Sequence, residues 1–196
     1  MEFLEHKLHE LERIIRMPFH TTQIPGLIIV EPKVHEDERG YFYEAYNENV
    51  FAEAKINNKF VQDNQSKSSY GVIRGLHYQL NPFAQAKLLR VIEGTILDVA
   101  VDIRKNSSTY GKHFSIVLDE KNKTMLWIPP GFAHGFLTLE DNTIFSYKCT
   151  NVYHKDSEDS IIWNDPDIGI DWGTTTPLLS EKDKEAKFFK DLKGLF

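Results

Sequence analysis

The spacing of apolar residues divides the chain into a short helical start, a long β-rich body and a short helical end. Residues 1–16 place Leu4, Leu8, Leu11 and Ile15 at helical spacing among charged residues, and Pro18 follows them. Such spacing puts apolar side chains on one face of a helix, and a proline interrupts it. The pattern predicts an amphipathic N-terminal extension over residues 1–17 that docks on the body or on a neighbouring subunit.

From residue 24 to about residue 172 the periodicity changes to short β-rich runs separated by Gly, Pro, Asn and Asp. The run TILDVAVDIR alternates between a face of four apolar residues and a face that carries Asp98 and Asp102. Many short strands with turn residues between them are typical of a β-sandwich or barrel. We therefore predict a mostly β fold over a single domain of residues 18–196.

The tail LLSEKDKEAKFFKDLKGLF returns to helical spacing, with Leu179, Phe188, Phe189 and Leu192 as its apolar members. Ser180 is a suitable N-cap because its hydroxyl can accept a backbone N–H from the first turn. The pattern predicts a short C-terminal helix.

Composition and charge narrow the class of protein. With 196 residues, 41% of them hydrophobic, the chain has room for one real core. A net charge of −6 argues against a nucleic-acid surface, because phosphate binding needs clustered Lys and Arg. Cys149 is the single cysteine, and no apolar run approaches the roughly 18 residues of a membrane helix. We expect a cytoplasmic protein that binds neither nucleic acid nor membrane.

Two short stretches are similar to the motifs of cupin-type β-barrels, which read H-x-H followed by Glu and Gly, and P-x-G-x-x-H. In PPGFAHGF the second motif is complete and ends at His134. In GVIRGLHYQLNPFAQAKLLRVIEG, His77 is kept, Gln79 replaces the second His, and Lys87 stands at the Glu position. The resemblance implies a cupin-type barrel, or jelly roll, with an altered site.

The replacements argue against a metal site. A lysine ammonium has no lone pair and repels a divalent cation, which instead prefers imidazole and carboxylate ligands. The remaining groups form a positively charged, hydrogen-bonding pocket that suits an organic anion or an oxygen that becomes anionic during reaction. Alternate residues of a strand share a face. We expect three such faces to line one interior, namely Phe145, Tyr147 and Cys149; Ile73, Gly75, His77 and Gln79; and Lys87, Leu89 and Val91.

Nine segments between residue 24 and about residue 184 give a closer resemblance. In chain order they are DERGYFYEAY, FVQDNQSKS, VIRGLHYQ, AQAKLLRV, DVAVDIRKNSSTYG, LWIPPGFAHGF, YKCTNVY, SEDSIIWNDP and LSEKD. In these segments the chain resembles the dTDP-4-dehydrorhamnose 3,5-epimerase (RmlC) family. The resemblance implies a cofactor-independent isomerase of a nucleoside-diphosphate 4-keto-6-deoxyhexose, most simply converting dTDP-4-dehydro-6-deoxy-D-glucose to dTDP-4-dehydro-L-rhamnose. It also implies homodimers in which N-terminal strands cross to the partner and complete its site.

The resemblance assigns five catalytic residues. His77 would be the base, Tyr147 the acid on the opposite side of the sugar, and Asp183 the partner of His77, while Lys87 and His134 would hold the C4 oxygen. These residue types suit proton removal next to a ketone, because a cation and hydrogen-bond donors stabilise the enolate. Inversion of C3 and C5 also requires a base on one face and a donor on the other.

The substrate's diphosphate would be bound by Arg39 and Arg74, because planar guanidinium groups match phosphate oxygens. By resemblance alone the other substrate-binding positions, besides Lys87 and His134, are Glu44, Gln62, Asp63, Asn64, Glu158 and Lys182. Strict alternation puts Arg74 on the opposite strand face from His77. The assignment therefore predicts a bulge or twist at Gly75.

Three alternatives stay open. A mono-epimerase or 3,4-ketoisomerase would keep the fold and substrate class but deliver the proton differently, and Tyr147 favours the double epimerase. A metal-dependent cupin would need the ligands that Gln79 and Lys87 replace. A non-catalytic sugar-binding barrel would bind the nucleotide sugar without converting it.

Overall fold

The computed structural model describes residues 19–192 and 196, so the predicted extension over residues 1–17 lies outside the described residues. The described part consists mainly of strands, in chain order β1 (Phe19–Thr21), β2 (Ile28–Val30), β3 (His35–Asp37), β4 (Gly40–Phe42), β5 (Gln62–Ser68), β6 (Ile73–Gln79), β7 (Lys87–Glu93), β8 (Thr95–Asp102), β9 (His113–Asp119), β10 (Met125–Ile128), β11 (Phe132–Thr138), β12 (Thr143–Cys149) and β13 (Glu158–Ser160). The helices are short, at Glu48–Glu53 and Glu181–Lys184, with 3-10 turns at Lys155–Ser157 and Phe189–Asp191. The prediction of a mostly β chain is confirmed.

The strands form two larger antiparallel sheets and one separate hairpin. The six-stranded sheet has the order β1-β2-β10-β7-β12-β5, and the five-stranded sheet has the order β13-β6-β11-β8-β9. Strands β3 and β4 pair with each other as a two-stranded hairpin whose residues are all exposed. None of the helices in the described part has the length and apolar composition needed to cross a membrane.

The main core lies between the two sheets, because its buried residues come from strands of both. Its largest members include Leu89, Phe136 and Phe145. A second core covers the outer face of the five-stranded sheet, where Trp172 of the C-terminal segment packs. A third covers the outer face of the six-stranded sheet, where Phe51 packs. Each sheet therefore buries apolar side chains on both faces.

Strand β8 shows what this double burial does to the sequence pattern. The alternation is present, with Val99 in the outer core and Ala100 in the core between the sheets. Asp98 and Asp102 are nevertheless fully buried. The polar face of β8 points into the protein, and its carboxylates need partners there.

Asp102 organises the turn between β8 and β9. Its carboxylate accepts hydrogen bonds from Arg104 Nε at 2.8 Å, Ser107 Oγ at 2.6 Å and Thr109 Oγ1 at 2.7 Å. Burial alone would raise the pKa of Asp102, but these bonds outweigh it and lower the pKa to about 2. The turn is therefore held by a buried ionised carboxylate.

Strand β6 contains the irregularity that the sequence predicted at Gly75. Against β11, His77 lies opposite His134 and Arg74 lies opposite Phe136, so three steps on β6 match two on β11. Gly75 has a φ of +127°, and a Cβ on it would lie 2.5 Å from the Cα of Gly135. The extra residue of this bulge changes which side of β6 the preceding residues face.

The C-terminal segment is attached to the start of β6 by its backbone. Ile73 N donates to Leu178 O at 3.0 Å, and Leu178 N donates to Gly71 O at 2.8 Å. Ser180 then caps the last helix by accepting a hydrogen bond from Asp183 N at 3.1 Å, as predicted. These contacts place Asp183 beside β6.

Candidate functional site

A cavity of about 420 Å³ opens beside strands β6, β7, β11 and β12. Its wall contains all five residues predicted to be catalytic, which are His77, Lys87, His134, Tyr147 and Asp183. They come from four strands and the C-terminal segment, so only the folded chain brings them together.

His77 faces this cavity from β6, and its Nε2 lies 2.6 Å from Asp183 Oδ1. The Asp183 carboxyl is nearly fully buried, and its Oδ2 accepts a hydrogen bond from Ser180 Oγ at 2.8 Å. Burial raises the pKa of Asp183, but the bonds from His77 and Ser180 outweigh burial and place the pKa below its ordinary value. An ionised Asp183 holds a proton on Nε2, which leaves the Nδ1 lone pair of a neutral imidazole available.

His134 forms a second histidine–aspartate pair. Its Nε2 lies 2.8 Å from Asp98 Oδ2, and both side chains are buried. Asp98 Oδ1 is also buried and has no hydrogen-bond partner among the described residues. Burial lowers the pKa of His134, while the Asp98 carboxylate opposes this shift.

Lys87 places a buried ammonium in the cavity wall. It is the first residue of β7 and pairs with Cys149 of β12. Burial lowers the pKa of Lys87, and nearby acidic groups that include Asp98 and Glu158 act against this. Its Nζ lies 5.8 Å from the centroid of the Tyr147 ring, so the ammonium and the phenol share the same space.

Tyr147 lies on β12 opposite Asn64 of β5. Burial raises the pKa of Tyr147, and a hydrogen bond with Asn64 acts in the opposite direction. A phenol whose pKa is above its ordinary value stays protonated at neutral pH. Tyr147 is therefore equipped to donate a proton and not to remove one.

Two of the predicted substrate-binding residues outside the catalytic set, Arg74 and Asn64, also line the cavity. Arg74 Nε donates to Ser68 Oγ at 3.2 Å, and Asn64 Oδ1 accepts from Gln62 Nε2 at 3.1 Å. Arg74 and His77 reach the same cavity because of the bulge at Gly75. Gln62 does not line the cavity itself but donates a hydrogen bond to Asn64, which does.

Three further residues predicted to bind substrate lie outside the cavity wall, and each forms an ion pair. Lys182 and Glu158 form an ion pair, and Glu158 also accepts a hydrogen bond from the Tyr153 hydroxyl at 2.9 Å. Asp63 pairs with Lys148 at 2.7 Å. Lys182 is next to Asp183 in the chain, so this ion pair adjoins the cavity through the last helix.

Arg39 and Glu44, both predicted to bind substrate, do not line the cavity of their own chain. Arg39 lies on the exposed hairpin of β3 and β4 and pairs with Asp37 of the same hairpin. Glu44 accepts a hydrogen bond from Asn47 Nδ2 at 3.1 Å, beside the start of the helix Glu48–Glu53. Among the described residues the hairpin pairs with neither larger sheet, and neither Arg39 nor Glu44 lines the cavity.

Gln79 does not line the cavity, although strand parity puts it on the same face of β6 as His77. Its amide donates to the carbonyls of Phe83 and Val152 at 2.7 and 3.1 Å, and it accepts from His154 N at 2.7 Å. A buried amide with its donors and acceptor satisfied by backbone serves to hold these two loops together.

Sequence reasoning missed three polar residues at the site. Asp98 is the buried partner of His134, and Ser180 is the partner of Asp183. Ser66 lines the cavity with a buried hydroxyl that has no partner among the described residues. For Asp98 the available signal was a carboxylate in a mostly apolar strand. For Ser66 it was strand alternation, which puts Ser66 on the same face of β5 as Asn64.

Within residues 19–192 and 196 there is no group of three or more His, Cys, Asp or Glu side chains arranged to hold a metal ion. The cavity wall instead includes an ammonium, a guanidinium, two imidazoles, a phenol and a carboxylate. This set can remove a proton, return a proton from another side chain, and stabilise a negatively charged oxygen.

Comparison with known proteins adds an independent line of evidence. The model of the family described as dTDP-4-dehydrorhamnose 3,5-epimerase matches residues 21–191. A relative of that description from Shigella flexneri is 54% identical over 173 residues, covering 87% of this chain and 94% of the relative.

Two solved structures agree with this match. The dTDP-4-dehydrorhamnose 3,5-epimerase of Elizabethkingia anophelis has a TM-score of 0.86 at 52% identity, covering 90% of this chain and 98% of that chain. The dTDP-6-deoxy-D-glucose-3,5-epimerase of Legionella pneumophila, solved in complex with dTDP-4-keto-L-rhamnose, has a TM-score of 0.88 at 46% identity, covering 91% of this chain and 95% of that chain. The cupin-type fold expected from the sequence is confirmed.

Proposed function

The chain belongs to the dTDP-4-dehydrorhamnose 3,5-epimerase family, and from this premise we propose that it converts dTDP-4-dehydro-6-deoxy-D-glucose to dTDP-4-dehydro-L-rhamnose. The observation that carries the proposal is the convergence of His77, Tyr147 and Lys87 on one cavity. They supply the base, the acid and the cation that inversion next to a ketone requires. The sugar nucleotide is supported by the relatives, among them the Legionella enzyme with its bound dTDP-4-keto-L-rhamnose.

In the proposed mechanism His77 removes the protons at C3 and C5 in two successive rounds. Nδ1 is the accepting atom because Nε2 is bonded to Asp183. The electron pair of each broken C–H bond moves to the C4 carbonyl and gives an enolate. Asp183 fixes the tautomer of His77 and stabilises the imidazolium that forms.

The enolate oxygen is held by Lys87 of β7 and His134 of β11, which face the cavity from the six-stranded and the five-stranded sheet. Tyr147 donates its phenolic proton to the opposite face of the carbon, and the C4 carbonyl forms again. Each inversion leaves one proton more on His77 and one fewer on Tyr147, and exchange with water restores both. This sequence uses neither a cofactor nor a metal.

Arg74 is the proposed diphosphate contact within the chain. Its Nε donates to Ser68 Oγ and its side chain lines the cavity, and a guanidinium held there suits phosphate oxygens. Asn64 contributes a side chain to the cavity wall. Glu44, Gln62, Asp63, Glu158 and Lys182 are proposed as further substrate contacts, with Gln62 and Lys182 adjoining wall residues directly.

Arg39 is proposed to act on the site of a partner subunit in a homodimer. The hairpin of β3 and β4 is fully exposed and carries Arg39, Tyr41 and Phe42, of which Phe42 is 72% exposed. An exposed apolar arm with a free sheet edge is well suited to dock on a second copy of the chain. In such a dimer Arg39 would supply the charge that this chain's own cavity does not receive from it.

Mixing two inactive variants tests this dimer. Arg39→Ala has a defective arm, and His77→Ala has a defective base, so only a mixed dimer contains one complete site. After random reassociation half of the dimers are mixed, and about a quarter of the parental activity should return. Activity that stays at the level of the separate variants would contradict a shared site.

The reaction itself is tested by isotope exchange in heavy water. The purified protein should convert dTDP-4-dehydro-6-deoxy-D-glucose and place deuterium at both C3 and C5. Deuterium at one carbon alone would identify a mono-epimerase, and movement of the keto group would identify a 3,4-ketoisomerase. Activity lost to a chelator and restored by a transition metal would identify a metal-dependent cupin.

Residues 18–196 are proposed as the single domain that performs this reaction, in the cytoplasm. Cys149 is buried and unpaired, and a chain with one cysteine forms no internal disulfide that an oxidising compartment would favour. The net charge of −6 argues against a nucleic-acid partner.

A further inference from the structure

Two histidine–aspartate pairs face one cavity, yet the proposed reaction requires opposite behaviour from them. In both pairs Nε2 lies against a carboxylate, at 2.6 Å for His77 and Asp183 and at 2.8 Å for His134 and Asp98. Nδ1 is therefore the ring atom left for the substrate in each. An atom that removes a proton needs a lone pair, whereas an atom that donates to an oxyanion needs a hydrogen.

We infer that the two pairs differ by one proton: His77 and Asp183 share one proton, His134 and Asp98 share two, and Asp98 is the positioning residue that keeps a hydrogen on His134 Nδ1. The inference rests on the proposed function, because that function makes His134 a donor to the C4 oxygen. Without the second proton, the Nδ1 lone pair of His134 would repel the enolate.

The surroundings of the two carboxylates differ in the direction that this inference requires. Asp183 Oδ2 accepts a hydrogen bond from Ser180 at 2.8 Å, so both of its oxygens have partners and the ionised form is stabilised. Asp98 is fully buried, and its Oδ1 has no partner among the described residues. An ionised carboxylate with an unpaired buried oxygen is costly, and a second proton on the pair reduces that cost.

Charged groups on three strands face His134. Lys87 from β7 and His77 from β6 both disfavour a positive imidazole, while Asp98 from β8 favours it. Phe145 from β12 presents an apolar ring 6.3 Å away. Two shared protons can sit on the pair as a carboxyl that donates to Nε2 of a neutral imidazole or as an imidazolium beside a carboxylate, and in both forms His134 carries a hydrogen on Nδ1.

Nitrogen NMR of the full-length protein with ¹⁵N-labelled histidine measures these protons directly. Protonated and bare ring nitrogens differ widely in chemical shift, and the variants His77→Asn and His134→Asn assign the two rings. We expect His77 to carry its proton on Nε2 with a bare Nδ1, and His134 to carry a proton on Nδ1. A bare Nδ1 on His134 at the pH of maximal activity would overturn the inference.

Matched substitutions give a second test that separates positioning from simple packing. In Asp98→Asn the amide N–H donates to Nε2 as a protonated carboxyl does, so kcat should fall less than tenfold, against about hundredfold for Asp98→Ala. The same exchange in the other pair, Asp183→Asn, moves the His77 proton to Nδ1 and should lower kcat by about 10⁴-fold. Equal losses in Asp98→Asn and Asp98→Ala would overturn the inference.

The exposed Asp167→Asn controls for loss of a charge and should leave kcat unchanged. Thermal unfolding of each variant shows whether it is folded. If Asp98→Ala does not fold, the NMR measurement on the wild-type protein still tests the inference. If the wild-type protein places no deuterium at C3 or C5, the proposed function fails, whereas the NMR measurement decides the proton count independently of turnover.

Discussion

Arg74 and His77 line the same cavity although three residue steps separate them on one strand. In a regular strand an odd separation puts two side chains on opposite faces. The bulge at Gly75 supplies the extra residue that cancels this parity. The site therefore depends on a backbone conformation that an ordinary side chain would not permit.

Replacement of Gly75 by alanine should destabilise the protein by about 3 kcal/mol or more, because the new Cβ meets the Gly135 backbone and the φ is positive. Urea unfolding measures the loss. Gly173→Ala is the control, since its φ is also positive at +69° but nothing lies within 4 Å of the added Cβ. It should lose only about 1 kcal/mol, and equal losses in both variants would refute close packing as the cause.

Removal of the Tyr147 hydroxyl separates proton removal from inversion. In Tyr147→Phe, His77 can still take a proton and return it to the same face after exchange with water. We expect deuterium to enter the substrate while epimerised product falls by about 10²- to 10³-fold. Mass and NMR analysis of the sugar measures both quantities. Tyr110→Phe, away from the cavity wall, should change neither, and parallel loss of exchange and inversion in Tyr147→Phe would show that the phenol is not the separate acid.

The pH dependence of kcat should report the Lys87 ammonium. Burial lowers the pKa of Lys87, so the cation is present at low pH and is lost as pH rises through that lowered value. The alkaline limb of kcat should therefore begin below the pH at which an ordinary lysine titrates. The raised pKa of Tyr147 delays loss of the phenolic proton to higher pH, so Tyr147 does not set this limb.

Lys87→Arg tests that assignment, because arginine stays charged over the whole accessible range. The variant should be slower at neutral pH, since the guanidinium has a different shape, but its alkaline limb should move to higher pH. The exposed Lys105→Arg should leave the profile unchanged. An unmoved limb in Lys87→Arg would assign it to another group.

Stability should fall at low pH through Asp102. Its pKa of about 2 lies below the ordinary value of 3.8, so its ionised form stabilises the fold above pH 3.8 and this contribution is lost as pH falls towards 2. Asp102→Asn should lower the free energy of unfolding by about 2 kcal/mol at pH 7. Urea unfolding should show the gap between the two proteins closing between about pH 4 and pH 2; a gap independent of pH would mean that the charge of Asp102 contributes nothing.

The sequence predicts the residues of the cavity wall better than their hydrogen-bond partners. His77, Lys87, His134 and Tyr147 lie in motifs whose strand parity is regular enough to place them in one interior. The role of Asp98 was not predicted, because a carboxylate in an alternating strand is ordinarily exposed. In this fold the second core packs on the outer face of β8, so both faces of the strand are buried.

Two further differences arise from contacts between segments that are distant in sequence. Gln79 follows the parity of β6, but its amide donates to backbone carbonyls of two loops whose positions no periodicity encodes. Arg39 matches a binding motif, yet among the described residues its hairpin pairs with neither larger sheet, so the fold of this chain does not bring it to the cavity. A local pattern cannot supply contacts of this kind.

Asp183 meets His77 across 106 positions of sequence, from a segment that follows β13, the last strand of the described residues. The imidazole therefore gains its counter-charge only when this segment has packed beside β6. A cut after Trp172 would remove the covalent link between Asp183 and the strands while leaving every strand from β1 to β13 uncut.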